Sequence, residues 1–374
     1  MKHTLLAGAA LCALAGFVAT PAQAQGLELN LRGQFIGYAI YNNQDEPAGT
    51  SLRGLDLRKE TEVHFDGKTT LDNGLSVGVH IEINVDRDES ATGSVIEESN
   101  MFISGGWGRF VVGEEDGVAY LLQVAAPSAD WNIDGLRQYT NSFDLGLMAG
   151  ANTGLAVDRL DYDHAISGAL NKVTYMTPVF NGFQAGVSYV PSLSEGDQSG
   201  LAPITANKNA GFDDGVEVAA RFQRKFDAVE LTIGGGWSDY DREVTAAGQT
   251  DRQGYNIGAD VNWGPFGLGA ALFEDDNGIS ADGDSTAFII GADYTMDAYK
   301  FGATYYERTD EAAAGTHTTA GDLEYSRWTA GVQYQYGPGM RMNGNLTYLE
   351  AETGVAGDAE YDGYQFALGT TIDF

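Results

Sequence analysis

The fold class that the sequence predicts is all-β: a sixteen-stranded antiparallel barrel spanning a membrane. Three observations predict it. Apolar and polar residues alternate with period two along the chain beyond residue 25, and no segment sustains a 3.6-residue period. Seven short turns and eight long polar loops take turns in joining the segments, a count that gives sixteen strands. Beyond the N-terminus no stretch of ~20 apolar residues occurs, so a spanning helix is excluded while a spanning barrel, whose strands average to neutral hydropathy, is not.

The chain begins with a targeting pattern. Lys2 is followed by the apolar run Leu5 to Val18 and by Ala22-Gln23-Ala24, an A-x-A cleavage signal. Residues 1–24 are expected to be removed, leaving 25–374 as one barrel domain beyond the inner membrane of a bacterium. Leu11 before Cys12 does not fit a lipoprotein signal, so the single cysteine leaves with the peptide. The mature chain then has neither disulfide nor thiolate chemistry. The full sequence has 53 acidic against 21 Lys and Arg residues, a net charge of −32, which excludes ordinary nucleic-acid binding. Glycine, at 50 of 374 residues, is about twice its usual ~7%.

The strands follow in order. Leu27, Leu29, Leu31 and Phe35 alternate with Glu28, Asn30, Arg32 and Gln34. The clearest segment is Leu75 to Asp86, where Leu75, Val77, Val79, Ile81, Ile83 and Val85 interleave with Ser76, Gly78, His80, Glu82, Asn84 and Asp86. That length spans a bilayer when tilted, since about 9–11 residues suffice. The pattern returns at Val216–Gln223, Gly254–Trp263 and Met340–Tyr348.

Short links fall at Asp72-Asn73-Gly74, Gly105-Gly106, Asn181-Gly182, Asp227-Ala228, Gly264-Pro265, Asp297-Ala298 and Gly337-Pro338-Gly339. Long polar links lie near 42–53, 87–97, 117–170, 191–213, 240–252, 276–284, 309–321 and 351–358. Aromatics cluster beside the short turns: Trp107 and Phe110, Phe180 and Phe183, Trp263 and Phe266, Tyr299 and Phe301, Tyr334 and Tyr336. Amphipathic rings suit the headgroup level, so these are expected to form a girdle. In lipid every backbone amide needs a partner, so the sheet must close, with its apolar face outward and its polar face lining a lumen. Sixteen strands leave an aqueous channel, where eight would fill with side chains. A soluble sandwich or propeller also alternates, but Glu, Arg and Asn on the facing sides leave it no continuous core.

Three segments carry a family resemblance. Asn171 to Phe183, with Gly186 to Tyr189, resembles an N-S-I-R-Y-x-S-P-x-F-x-G-F segment; Met101 to Gly113 resembles the hairpin before a third loop; and the last strand alternates through Tyr364, Phe366, Leu368, Thr370 and Ile372 to a terminal Phe374. On these the chain resembles the general diffusion porins of proteobacterial outer membranes. The resemblance implies a homotrimer of water-filled barrels in outer-membrane lipid and lipopolysaccharide, with Phe374 read by the barrel-assembly machinery. It also implies that a constriction loop, here 117–170, folds into the lumen. Family members set basic wall residues against acids on that loop. Strand parity points Arg32, Arg58, Lys172 and Arg221 into the lumen, and Glu115, Asp116, Asp130, Asp134 and Asp144 are the loop acids available to face them. The sequence departs from the family at Gly113-Glu114, where many members have Gly-Arg, and at Thr174, where many have Arg. The thinner basic half and the acidic balance predict passive diffusion of small hydrophilic solutes with cation selectivity. A substrate-selective porin is the alternative, with Tyr38, Tyr306 and Tyr325 as candidates for a lumenal track.

No enzyme signature appears. His64 and His80 fall on inward faces of neighbouring strands near Glu60, Glu62 and Glu82, an arrangement read as a polar wall pair ahead of a metal or proton-relay site. His164 and His317 lie in or beside loops. No cofactor is expected, beyond Ca²⁺ held loosely at Glu274-Asp275-Asp276-Asn277 or Asp282-Gly283-Asp284, which lack the twelve-residue calcium-loop spacing.

Overall fold

The computed structural model describes residues 26–46, 51–85, 96–129, 143, 162–193, 211–244, 248–280, 283–311, 321–354 and 359–374. The targeting segment lies outside them, as do Asp130, Asp134, Asp144, Asp282 and His317.

Strong alternation with tight turns at every second connection leaves the chain one way to satisfy its backbone, a closed meander. The strands are β1 (Glu28–Gln44), β2 (Leu55–Thr70), β3 (Ser76–Asn84), β4 (Ile96–Gly105), β5 (Gly108–Glu114), β6 (Asn171–Met176), β7 (Phe183–Ser192) and β8 (Phe212–Phe226). They continue as β9 (Val229–Arg242), β10 (Arg252–Trp263), β11 (Phe266–Asp275), β12 (Ser285–Met296), β13 (Tyr299–Asp310), β14 (Leu323–Gly337), β15 (Met340–Thr353) and β16 (Ala359–Asp373). Each pairs antiparallel with its sequence neighbours, and β1 pairs with β16 to close the barrel. The closing edge is pinned where the Gly33 N–H donates to the Phe374 carbonyl at 2.7 Å and the Phe374 N–H returns to the Gly33 carbonyl at 2.9 Å. No sheet edge is left open, which is the condition for a sheet in hydrocarbon. Asp227 and Asp297 open their two-residue turns with φ of 52° and 53°, the left-handed region that Asp and Asn tolerate.

Register separates the two faces as the alternation predicted. Leu29, Leu57, Ile257, Leu268 and Leu346 are exposed on the outside. The inward set includes Arg32 opposite His64, His64 opposite Glu82, and Asp66 opposite His80. The outer aromatics join into pairs at the short-turn end: Phe183 with Phe222 (4.5 Å between centroids), Phe266 with Tyr294 (5.0 Å) and Tyr299 with Tyr334 (4.7 Å). Tyr305 with Trp328 and Tyr348 with Tyr364 pair nearer the long-loop end.

This outer face is dry only in lipid. Ile257→Arg, at the middle of β10 and 59% exposed, is expected to destabilise the folded barrel by about 2–4 kcal/mol in a bilayer. Folding titrations in vesicles check this; a change near zero, as on a water-facing surface, would contradict the orientation.

The lumen corrects the expectation of a uniformly polar inner face. Phe273, Ala287, Ile289, Leu323, Leu349 and Ala351 are on inward positions of β11–β15, yet they are buried in one apolar cluster with Ala126, Phe143 and Tyr162 of the segment between β5 and β6. Ile36, Ile40 and Ala367 form a second inward apolar cluster across β1 and β16. The wall positions of the first cluster are apolar because the segment between β5 and β6 covers them.

Candidate functional site

The covering segment begins where the wall stops. β5 and β6 have only 7 and 6 residues, because the chain leaves the sheet after Glu114 and rejoins it at Asn171. A single helical turn, α1 (Val118–Leu121), follows at once and packs on the inward faces of β7, β8 and β9. It is too short to be stable alone. Side chains of the wall hold it instead.

Glu217 is the main anchor. It is 1% exposed, and its carboxylate accepts from the Ala119 N–H (3.1 Å), the Ser167 hydroxyl (2.6 Å) and the Tyr240 hydroxyl (2.8 Å). One buried carboxylate thus ties both ends of the loop to β8, and donors around it offset the cost of its burial. Ser188 on β7 accepts from the Val118 N–H at 3.0 Å. Asn256 on β10 donates to the Ala119 carbonyl and to His164 Nδ1, each at 2.9 Å. His164 Nε2 then meets Ser238 Oγ at 2.7 Å, so the ring is the neutral tautomer that donates from Nε2. Burial pushes this imidazole down to about 4, in keeping with that neutral state. Gln123 joins the two ends of the loop, accepting from the His164 N–H (2.7 Å) and donating to the Tyr162 carbonyl (2.8 Å).

The loop lies in a trench of glycines. A Cβ on Gly186, Gly234, Gly258 or Gly302 would stand 2.5–2.8 Å from Val118, Leu122, Val124 or Ala129, and one on Gly291 would overlap the Pro127 carbonyl. These positions run across β7, β9, β10, β12 and β13 on the inward face, so the wall gives up side chains where the loop backbone must sit.

The expected site residues divide into three groups. Arg32 and Arg58 are on the inward face and largely exposed to the lumen, Arg32 bonded to Asp66 at 3.1 Å and Arg58 to Asp56 at 2.9 Å. Arg221, half-exposed, is opposite Gln184 and Gly234. Glu60, His80 and Glu82 share that face on β2 and β3. Lys172 is corrected: its parity is inward, but it is 3% exposed, and its ammonium donates to the carbonyls of Glu115, Gly168 (2.6 Å) and Leu170 (2.9 Å). It is a clasp on the two ends of the loop and not an open wall charge. Glu115 and Asp116 are half-buried where the loop leaves β5, with Glu115 accepting from the Asp116 N–H at 3.2 Å. Thr174, where the family pattern has Arg, is buried against Ser188 at 2.8 Å.

Two of the three tyrosines offered for a lumenal track are buried: Tyr306 at 0% and Tyr325 at 2% exposure, the latter donating to Asp310. In the acidic turn after β11, Asp275 is bonded to Arg252 and Asp276 accepts from the Gln253 and Gly278 N–H groups at 2.8 and 2.9 Å. Sequence reading missed Glu217, Ser188, Tyr240 and Asn256 as loop anchors. Each sits at a polar inward position, but nothing local distinguishes an anchor from a solvated wall residue.

Comparisons with known proteins agree with this architecture. The sequence model of the family described as Gram-negative porin matches residues 8–354. An anion-selective porin from Comamonas acidovorans superposes with a TM-score of 0.63 at 19% identity, covering 93% of this chain and all of its own. OmpF of Salmonella typhi, in complex with daunomycin, gives 0.60 at 17% identity, covering 92% of this chain and 97% of its own. The trimer form of OmpT, an outer membrane protein of Vibrio cholerae, gives 0.59 at 14% identity over 94% of this chain and 100% of that one. At these identities the likeness establishes the barrel fold. None of the curated proteins compared matches the sequence.

Proposed function

The chain belongs to the Gram-negative porin family and forms a channel in the bacterial outer membrane, and we propose that this channel passes small hydrophilic solutes by passive diffusion with a preference for cations. The observation that carries the preference is the charge on one sector of the lumen wall. Asp56, Glu60, Glu62, Asp66 and Glu82 share the inward face of β2 and β3, against Arg58 and Lys68 on the same strands and Arg32 of β1 bonded to Asp66. Elsewhere Lys172 is buried and Arg252, Lys300, Arg308 and Arg341 are each paired with an aspartate, which leaves Arg221, opposite Gln184 and Gly234, as a base on the far wall. Carboxylates along a pore lower the barrier for cations.

The Comamonas porin is anion-selective on the same fold. The preference proposed here is read from this chain's wall residues and takes no support from the fold. Transport through a polar hole needs no catalytic step, and none is assigned. The barrel assembles as a homotrimer, a reading supported by the family and by the trimer form of the Vibrio protein.

Planar-bilayer reversal potentials under a KCl gradient test the selectivity. A cation-directed potential is expected, shrinking as ionic strength rises because salt screens wall charge. An anion-directed potential would overturn it.

A further inference from the structure

We propose that the lumen wall carries a binding site for a zinc-type divalent transition-metal ion, built by His64, His80 and Glu82 with Glu98 beside them. The three ligand atoms come from adjacent strands. His64 Nδ1 is 3.0 Å from Glu82 Oε2, His80 Nε2 is 3.6 Å from the same oxygen, and the set lies within 4.8 Å. Glu98 Oε2 is 3.6 Å from His80 Nε2. In a tetrahedral shell with bonds of about 2.1 Å, ligand atoms stand about 3.4 Å apart, so only small side-chain movement is needed.

Two further observations point to a metal ion. The first is His64 itself. It is 8% exposed, and its Nδ1 has no hydrogen-bond partner: Glu82 is close enough but out of line. A buried ring nitrogen that stands beside a carboxylate without bonding to it is costly unless a cation lies between them. The second is the support behind His80. Its Nδ1 meets Asp66 Oδ1 at 2.7 Å, and Arg32 holds the other Asp66 oxygen at 3.1 Å. A carboxylate on one ring nitrogen fixes the tautomer and turns the other nitrogen's lone pair toward the metal position, the usual outer shell of a histidine ligand. Glu62 Oε2, 3.6 Å from His64 Nε2, stands in the same relation to the second imidazole, at longer range.

The donor set selects the ion. Two imidazoles with one or two carboxylates suit Zn²⁺, Co²⁺, Ni²⁺ or Cu²⁺, whereas Ca²⁺ and Mg²⁺ take oxygen shells. Three protein ligands leave a position for lumen water. The wall barely moves to accept the ion, because the ligands stand on paired strands with register His64↔Glu82 and Asp66↔His80.

The test uses the purified full-length mature barrel in detergent. Titration with Co²⁺ is expected to give the intense visible bands of a four-coordinate site, and Zn²⁺ to displace it stoichiometrically in the presence of excess Ca²⁺. His80→Gln is expected to abolish the bands, and Asp66→Asn, which keeps all three ligands, to weaken Zn²⁺ binding about 10–100-fold. Heat-modifiable mobility on gels verifies that each variant is folded. Wild-type protein that binds Zn²⁺ no more tightly than Ca²⁺, or a folded His80→Gln with unchanged bands, would overturn the site. Bound metal also places positive charge on the acidic sector, so Zn²⁺ is expected to lower cation preference in bilayers. That consequence rests on the selectivity proposed above, and the cobalt spectrum does not, so the two readings fail separately.

Discussion

Replacing Glu217 by alanine is expected to release the ends of the segment between β5 and β6 from the wall and to raise single-channel conductance, with noisier open-state current. Glu217 receives three donors: Ala119 and Ser167 belong to the two ends of the loop, and Tyr240 is a wall residue on β9. Hydrogen bonds to a charged acceptor contribute about 1.5–3 kcal/mol each. Loss of the common acceptor therefore shifts the docked-to-released ratio by roughly 100-fold or more. Barrel strands β8 and β9 keep their backbone ladder, so the folded barrel should survive. Glu217→Gln retains one acceptor oxygen and is expected to fall between. Conductance unchanged in a folded Glu217→Ala barrel would show that the apolar contacts alone hold the loop.

Filling the glycine trench is expected to give the second large effect. A side chain at Gly258 or Gly302 enters the space of the Val124 carbonyl (2.5 Å) or the Ala129 nitrogen (2.6 Å), both backbone atoms that cannot rotate aside. Gly258→Val and Gly302→Val should therefore displace the loop, each at about 1–3 kcal/mol of overpacking. Gly344→Val is the control, since its nearest neighbour is a Leu368 methyl at 3.7 Å and it points away from the lumen. Once Glu217→Ala has freed the loop, Gly258→Val should add little to conductance, a non-additivity expected of residues acting on one element. Equal, additive increments would mean that the two contacts restrain different segments.

Much of the fold was legible in sequence because a membrane barrel repeats one local rule. At Leu75–Asp86 every second residue is apolar, and the structure places that set outside along β3. The turns at Asn181-Gly182 and Asp297-Ala298 were marked by residues that tolerate the left-handed backbone now seen at Asn181 and Asp297. The site was legible only in part. Parity placed Lys172 inward, which is its orientation, but parity carries no information about what lies across from it. The carbonyls that bury Lys172 belong to Glu115, Gly168 and Leu170, and a loop's route cannot be read from the wall's period. The same limit explains Ile289, Leu323 and Leu349, which break the polar-lumen rule because the loop covers them.

By itself the sequence determined the all-β class, the strand number, the outward face and the acidic balance, since each follows from local period, turn chemistry or composition. The tertiary structure alone decided which inward residues meet water, which clasp the loop, and which imidazoles and carboxylates converge. His64 and His80 are sixteen residues apart in the chain, and their rings come within 5.6 Å only through the β2–β3 register. The reason is physical: alternation fixes the direction of each side chain, whereas contact across a lumen depends on closure, shear and the path of a loop held by residues distant in sequence.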